Sequence, residues 1–184
     1  MTEEARTTLL AVARDSIKEE WAEQTGEPCK KAEQMDELTV IGPGAFVTLH
    51  EHGRLRGCIG YLVGDGHRLC DLVAMLAKES AFEDWRFEPL GREELPQCDI
   101  EISVLSVPQA IKTPMEFHPG LDGIILTAFG RRAVFLPQVA TEQGWGREEM
   151  LDNLSLKAGL PAHAWHDKSA RFMTFQAEVF GEKQ

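Results

Sequence analysis

Cys58 is the residue with the most chemistry to offer. It lies in the run Leu55 to Tyr61, "LRGCIGY", with Arg56 two positions before it and glycines at 57 and 60. A thiol beside a guanidinium is held more readily as thiolate, the nucleophilic form. On an extended strand residues two apart share a face, roughly 7 Å apart at about 3.4 Å of rise per residue. Arg56 then either stabilises a Cys58 thiolate or binds an anionic substrate. Gly57 and Gly60 let a second backbone or a ligand come close. In the plainer reading Cys58 is a small buried hydrophobe between glycines, the usual place of a free cysteine.

These residues need a strand to hold them. "GAFVTLHEHG", Gly44 to Gly53, precedes the run, and the two segments flank His52-Gly53, where glycine supplies the positive φ of a tight hairpin loop. A two-residue loop pairs Glu51 with Arg54, Leu49 with Arg56, Val47 with Cys58 and Ala45 with Gly60. That register puts Arg54, Arg56 and Cys58 on one face with Val47, Leu49 and Glu51, and His50 on the other. Farther on, "DIEISVLSV", Asp99 to Val107, alternates as a half-covered strand. Its Glu101 is either a solvated carboxylate or, if that polar face meets Arg56 and Cys58, a base that accepts a proton.

Other constellations are weaker. His50 with His52, and His163 with His166, lack the third ligand that a metal site needs, so no metal is expected. No G-x-G-x-x-G, G-x-x-x-x-G-K-[ST] or G-x-S-x-G occurs. Asp65, Asp71, Glu79, Glu83 and Asp84 read as scattered surface carboxylates. Arg131-Arg132 beside a second turn reads either as an anion receiver or as a blunted strand edge.

Composition bounds the class. The chain has 184 residues, 43% hydrophobic, enough for one domain or two closely packed lobes. A formal net charge of -11 argues against nucleic acid as the main partner. No apolar run reaches the ~18 residues of a membrane span, and Glu3 and Glu4 do not suit a signal peptide. A cytosolic (cytoplasmic) protein is expected, with Cys29, Cys58, Cys70 and Cys98 as thiols.

The remaining elements follow from periodicity. Thr2 caps a helix with Leu10, Ala13, Ile17 and Trp21 inward, ending before Gly26 and Pro28. Glu27 to Leu38 reads as a surface loop, and Val63 to Arg68 as a turn-rich link. Leu69 to Phe82 reads as a helix with Leu69, Leu72, Val73, Leu76 and Ala77 inward. Trp85 and Phe87 are expected to pin the irregular segment Glu83 to Pro96. Pro108 to Gly120 reads as a connection between lobes. A second hairpin turns at Gly130-Arg131. A last helix is capped by Gly146, carries Met150, Leu151, Leu154 and Ala158 inward and stops at Gly159. "LPAHAWHDK" reads as a surface loop, and Phe172 to Phe180 as one strand with Met173, Phe175, Ala177 and Val179 inward. Strands and helices in this order predict an α+β fold.

"GAFVTLHEHGRLRGCIGYL", "AFEDWRFEPL", "IEISVL", "FLPQVATEQGW" and "NLSLKAGLPAHAW" stand in the order and at about the spacing of the AMMECR family, which the chain resembles from Leu9 to Phe180. The resemblance implies a two-lobed α+β fold, antiparallel sheets flanked by helices in a single domain over 1–184, with the "LRGCIG" strand near a cleft between lobes. It also implies a kinship with the A component of the AmmeMemoRadiSam set, hence Memo-like and radical-SAM proteins as partners. Leu55, Arg56, Gly57, Cys58, Ile59 and Gly60 match the central motif, and Arg86 with Phe87 a second, adding Arg86 to the binding residues Arg56, Gly57 and Gly60. Three positions depart from the pattern. Trp85 stands where proline is common and Gly146 where aspartate is. Ser155 stands where cysteine is often found, leaving no second thiol there. The family carries no settled reaction or cofactor. Two expectations follow: an enzyme or enzyme subunit acting on a small molecule in that cleft, with Cys58 as nucleophile and Glu101 as base, or a non-catalytic binding or adaptor module using the same cleft.

Overall fold

A computed structural model describes residues 1–21 and 27–182. In chain order the elements are α1 (Glu3–Glu19), α2 (Glu27–Ala32), β1 (Ile41–Glu51), β2 (Arg54–Arg68), α3 (Leu69–Phe82), β3 (Cys98–Leu105), β4 (Gln109–Ile111), β5 (Gly123–Ala128), β6 (Arg131–Phe135), α4 (Gln138–Gln143), α5 (Arg147–Lys157), β7 (Arg171–Phe175) and β8 (Ala177–Gly181). The fold is α+β, as the element order predicts. It divides into two compact units, Met1–Leu105 with Glu178–Gln184, and Ser106–Ala177. The second unit is thus an insertion in the chain of the first.

Unit 1 is built on a four-stranded sheet in the order β2-β1-β3-β8. Thr2 Oγ1 accepts the Ala5 N–H and starts α1. The buried stripe of α1 is Ala5, Leu9, Val12, Ala13 and Ile17. It is turned slightly from the expected face, so that Leu10 is half-buried and Trp21 meets Phe82 edge-on at 5.6 Å. The expected helix stop at Gly26 lies outside the described residues. α3 buries Leu69, Leu72, Val73, Leu76 and Ala77 as its spacing predicts. Both helices share a core with Val47, Leu49, Ile100 and Ile102 of the sheet.

Glu27 to Leu38 is not a loop. It forms α2 and a short 3-10 turn at Asp36–Leu38, which bury Ala32 and Leu38. Of its apolar residues Cys29, Ala32, Met35 and Leu38, only Ala32 and Leu38 are buried, too thin a stripe to read as periodicity. Trp85 is 90% exposed, so it does not pin its segment; Asp84, Leu90 and Leu95 are the buried residues there.

Unit 2 carries the sheet β4-β7-β5-β6. Its core sets Ile124, Leu126, Ala128, Ala133 and Phe172 against Met150, Leu151 and Leu154 of α5. Gly146 caps α5, its N–H bonded to Glu149 Oε2 at 2.9 Å. The second hairpin turns at Phe129-Gly130, both with positive φ, one residue earlier than expected. α4 follows Pro137. "LPAHAWHDK" contains a 3-10 turn at Ala162–His166 that buries Trp165. The last strand is two, β7 in one sheet and β8 in the other. The alternation slips at Gln176, whose N–H bonds Ser106 Oγ and whose carbonyl accepts the Ser106 N–H. Phe172, Phe175 and Phe180 are the buried aromatics of this stretch.

Candidate functional site

The β1–β2 hairpin turns at His52-Gly53 as expected, with φ of 51° and 76°, but its register is not the uninterrupted one. Leu49 pairs with Gly57 and His50 with Leu55, so Arg56 is an extra residue in β2, a β-bulge. From there on every side chain of β2 changes face. Cys58 pairs with Thr48 and Gly60 with Phe46, whereas Val47 pairs with Ile59. His50, expected opposite Cys58, is on its face. The reason is burial: Val47 and Leu49 are completely inside, each worth about 1.5–3 kcal/mol. The unbulged register would have placed Arg56 and Cys58 among them.

The bulge sends Arg56 away from Cys58. Its Nε and Nη2 donate to Glu94 Oε1 and Oε2 at 3.0 and 3.1 Å, and its Nη1 to the Glu88 carbonyl at 3.1 Å. This paired bond raises the Arg56 pKa and lowers that of Glu94. The guanidinium is spent fixing the 88–94 segment.

The glycines are filled by the chain itself. A Cβ on Gly57 would lie 2.1 Å from the Ser80 carbonyl oxygen of α3, and one on Gly60 2.2 Å from the Phe46 ring. Ser80 goes further: its buried hydroxyl accepts the Ile59 N–H at 2.9 Å and donates to the Val47 carbonyl at 2.8 Å. A helix side chain thus bridges the two strands beside the motif.

Cys58 is held from three sides. Its N–H donates to Asp84 Oδ2 at 2.9 Å, its carbonyl accepts Arg86 Nη2 at 3.1 Å, and Thr48 Oγ1 donates to Sγ at 3.2 Å. Asp84 and Arg86 are themselves joined by Nε–Oδ1 at 2.8 Å and Nη2–Oδ2 at 2.6 Å. Asp84 is only 4% exposed, yet the Arg86 guanidinium and two backbone N–H groups hold its pKa far below the usual carboxylate range. Burial pushes the Cys58 thiol up; Thr48 and Arg86 pull it down, and Asp84 and Glu101 add to the rise. The balance of these effects is upward, away from the thiolate.

Glu101 stands on β3 opposite Thr48. Cys58, Thr48 and Glu101 therefore form a row across β2, β1 and β3, with neighbours about 5 Å apart at Cβ. Of the residues expected at the site, the structure brings Cys58, Arg86 and Glu101 to this region, turns Arg56 away and builds Gly57 and Gly60 into the packing. Asp84 and Thr48 are the site residues that sequence reasoning missed. By sequence Asp84 is one of several scattered carboxylates, although it stands in the same "AFEDWRFEPL" block as Arg86. No group of three or more His, Cys, Asp or Glu among the described residues could hold a metal, and none of their helices is long and apolar enough to cross a membrane.

Residues 10–180 match the AMMECR1 family. A protein of Methanothermobacter thermautotrophicus is 37% identical over 181 residues, covering 95% of this chain and 93% of its own. One of Aquifex aeolicus is 36% identical, covering 89% and 87%. Among solved structures, the uncharacterized protein PH0010 from Pyrococcus horikoshii is similar at a TM-score of 0.85 and 32% identity, covering 100% of this chain and 94% of that one. With the motif blocks, the α+β fold and these relatives in agreement, the chain belongs to the AMMECR1 family.

Proposed function

We propose that this protein binds a small molecule on the face of unit 1 that carries Cys58, Thr48 and Glu101, with Cys58 a neutral hydrogen-bonding thiol and not a resting nucleophile. What supports this is the fate of the expected activating group. Arg56 is saturated by Glu94 and the Glu88 carbonyl, while burial raises the thiol. The motif then serves to build a rigid platform: the bulge, the glycine contacts and the Asp84–Arg86 pair fix Cys58, and Thr48 and Glu101 offer a hydroxyl and a carboxylate beside it. On this reading the Memo-like and radical-SAM proteins implied by the resemblance supply the reaction chemistry, and this chain holds the ligand.

One observation favours a second reading, that of an enzyme or enzyme subunit. The row Glu101–Thr48–Cys58 sets a carboxylate one strand beyond the hydroxyl that touches sulfur. With the Thr48 hydroxyl rotated to accept from Sγ–H and to donate to the Glu101 carboxylate, the thiol proton would have a route off sulfur when a ligand binds there. Alkylation of Cys58 by iodoacetamide across neutral to alkaline pH, read on the Cys58 peptide by mass spectrometry, separates the two. The binding reading expects an apparent pKa above the ordinary ~8.5. An apparent pKa below that value overturns it in favour of the enzyme.

A further inference from the structure

The adjacent arginines of the second hairpin part company in the structure. Arg131 turns its Nη1 to the Gly159 carbonyl at 3.0 Å, at the C-terminal end of α5, where a cation complements the helix dipole. Arg132 takes the other face of β6. It is exposed, and no hydrogen bond or ion pair engages it among the described residues.

Thr127 on β5 is the register partner of Arg132 on β6 and also of Arg171 on β7. The three side chains therefore stand in one row on one face, all exposed, with neighbours about 5 Å apart at Cβ. Arg171 is steadied by Nη1 bonds to the Lys168 and Ala170 carbonyls, both at 3.0 Å, and no carboxylate engages it among the described residues. The next row inward on this face is Val134, Ile125 and Met173, which brings no acid to neutralise the pair.

The wider charge pattern makes the row stand out. Residues 106–177 hold seven Lys or Arg and seven Asp or Glu, so the whole formal charge of -11 belongs to unit 1. Arg132 and Arg171 flank Thr127 from its two sides, roughly 10 Å apart at Cβ, so an anion over the threonine lies between two guanidiniums that attract it. Keeping another chain from pairing with the outer strand β6 accounts for Arg132. It does not account for Arg171 or Thr127, which lie on inner strands.

We infer that Arg132, Thr127 and Arg171 form an oxyanion site that takes the phosphate or carboxylate group of a small ligand. The planar guanidinium forks suit paired bonds to either group from two sides, and the threonine hydroxyl donates a further bond from below. The site lies within unit 2 and does not depend on the Cys58 reading.

Calorimetric titration of the full chain at low ionic strength, with inorganic phosphate and separately with succinate, tests the inference. Saturable binding of either probe is expected, weakened about tenfold or more in Arg132→Gln and in Arg171→Gln and less in Thr127→Val. The probe bound more tightly identifies the source of the oxyanion. Because the side chains are exposed, the variants should unfold as the wild type does when no probe is present. Absence of saturable binding of both probes, or binding unchanged in the Arg132→Gln/Arg171→Gln double variant, overturns the inference.

Discussion

Asp84 and Cys58, 26 residues apart in the chain, are joined by a 2.9 Å hydrogen bond from the Cys58 N–H to Asp84 Oδ2. The carboxylate that accepts it is buried and paired to Arg86. Position and electrostatics at the thiol therefore depend on the segment that follows α3.

Asp84→Ala leaves the Cys58 N–H without its acceptor and Arg86 without its partner. We expect a loss of about 1–3 kcal/mol, read from urea unfolding at neutral pH. A loss under about 0.5 kcal/mol would show that the bond contributes nothing net.

Acid should erode that difference. The folded Asp84 pKa lies below its unfolded value, so its stabilising contribution is complete above the ordinary ~3.9 and is lost as pH falls towards the folded value. The stability gap between wild type and Asp84→Asn is expected to narrow below about pH 4. A gap that widens on acidification contradicts the assignment.

Ser80→Ala removes the hydroxyl between the Ile59 N–H and the Val47 carbonyl, at an expected cost of about 1–3 kcal/mol. Gly57→Ala should cost at least as much, because its new Cβ meets backbone and not a movable side chain. Equilibrium unfolding of both variants, with circular dichroism as probe, checks the order.

Arg56 and Arg86 should differ in their effect on the thiol. Arg86→Gln is expected to raise the Cys58 alkylation pKa, since its charge pulls that value down. Arg56→Ala should leave it unchanged and loosen residues 88–94, seen as faster amide exchange at Gly91, whose N–H is bonded to Glu94. A rise in thiol pKa in Arg56→Ala would restore Arg56 as the activating group.

What the sequence made legible was local. The apolar spacing of α3, the Gly146 cap with Glu149 and the His52-Gly53 loop are each set by residues within a turn or two of one another. Recognition of the family carried Arg86 to the site as well. The bulge at Arg56 was not legible, because it is stabilised by Glu94, 38 residues on, and by the burial of Val47 and Leu49 under helices. Asp84 looked like any surface acid until folding supplied Arg86 and the Cys58 N–H. The break at Gln176 follows from bonds to Ser106, 70 residues earlier. Alternation alone reads through such a break as one strand.

The insertion of residues 106–177 within unit 1 bears on how the protein is made. A chain leaving the ribosome presents α1, α3, β1, β2 and β3 first, yet their sheet lacks its outer strand β8 until residues 177–181 have been synthesised. Until then Phe180 is missing from the core, and Arg6 and Arg14 await Glu178 and Glu182. Unit 2 has its whole sequence earlier and can close on itself while unit 1 still waits. The half of unit 1 that is made first is thus completed only after unit 2 has been made.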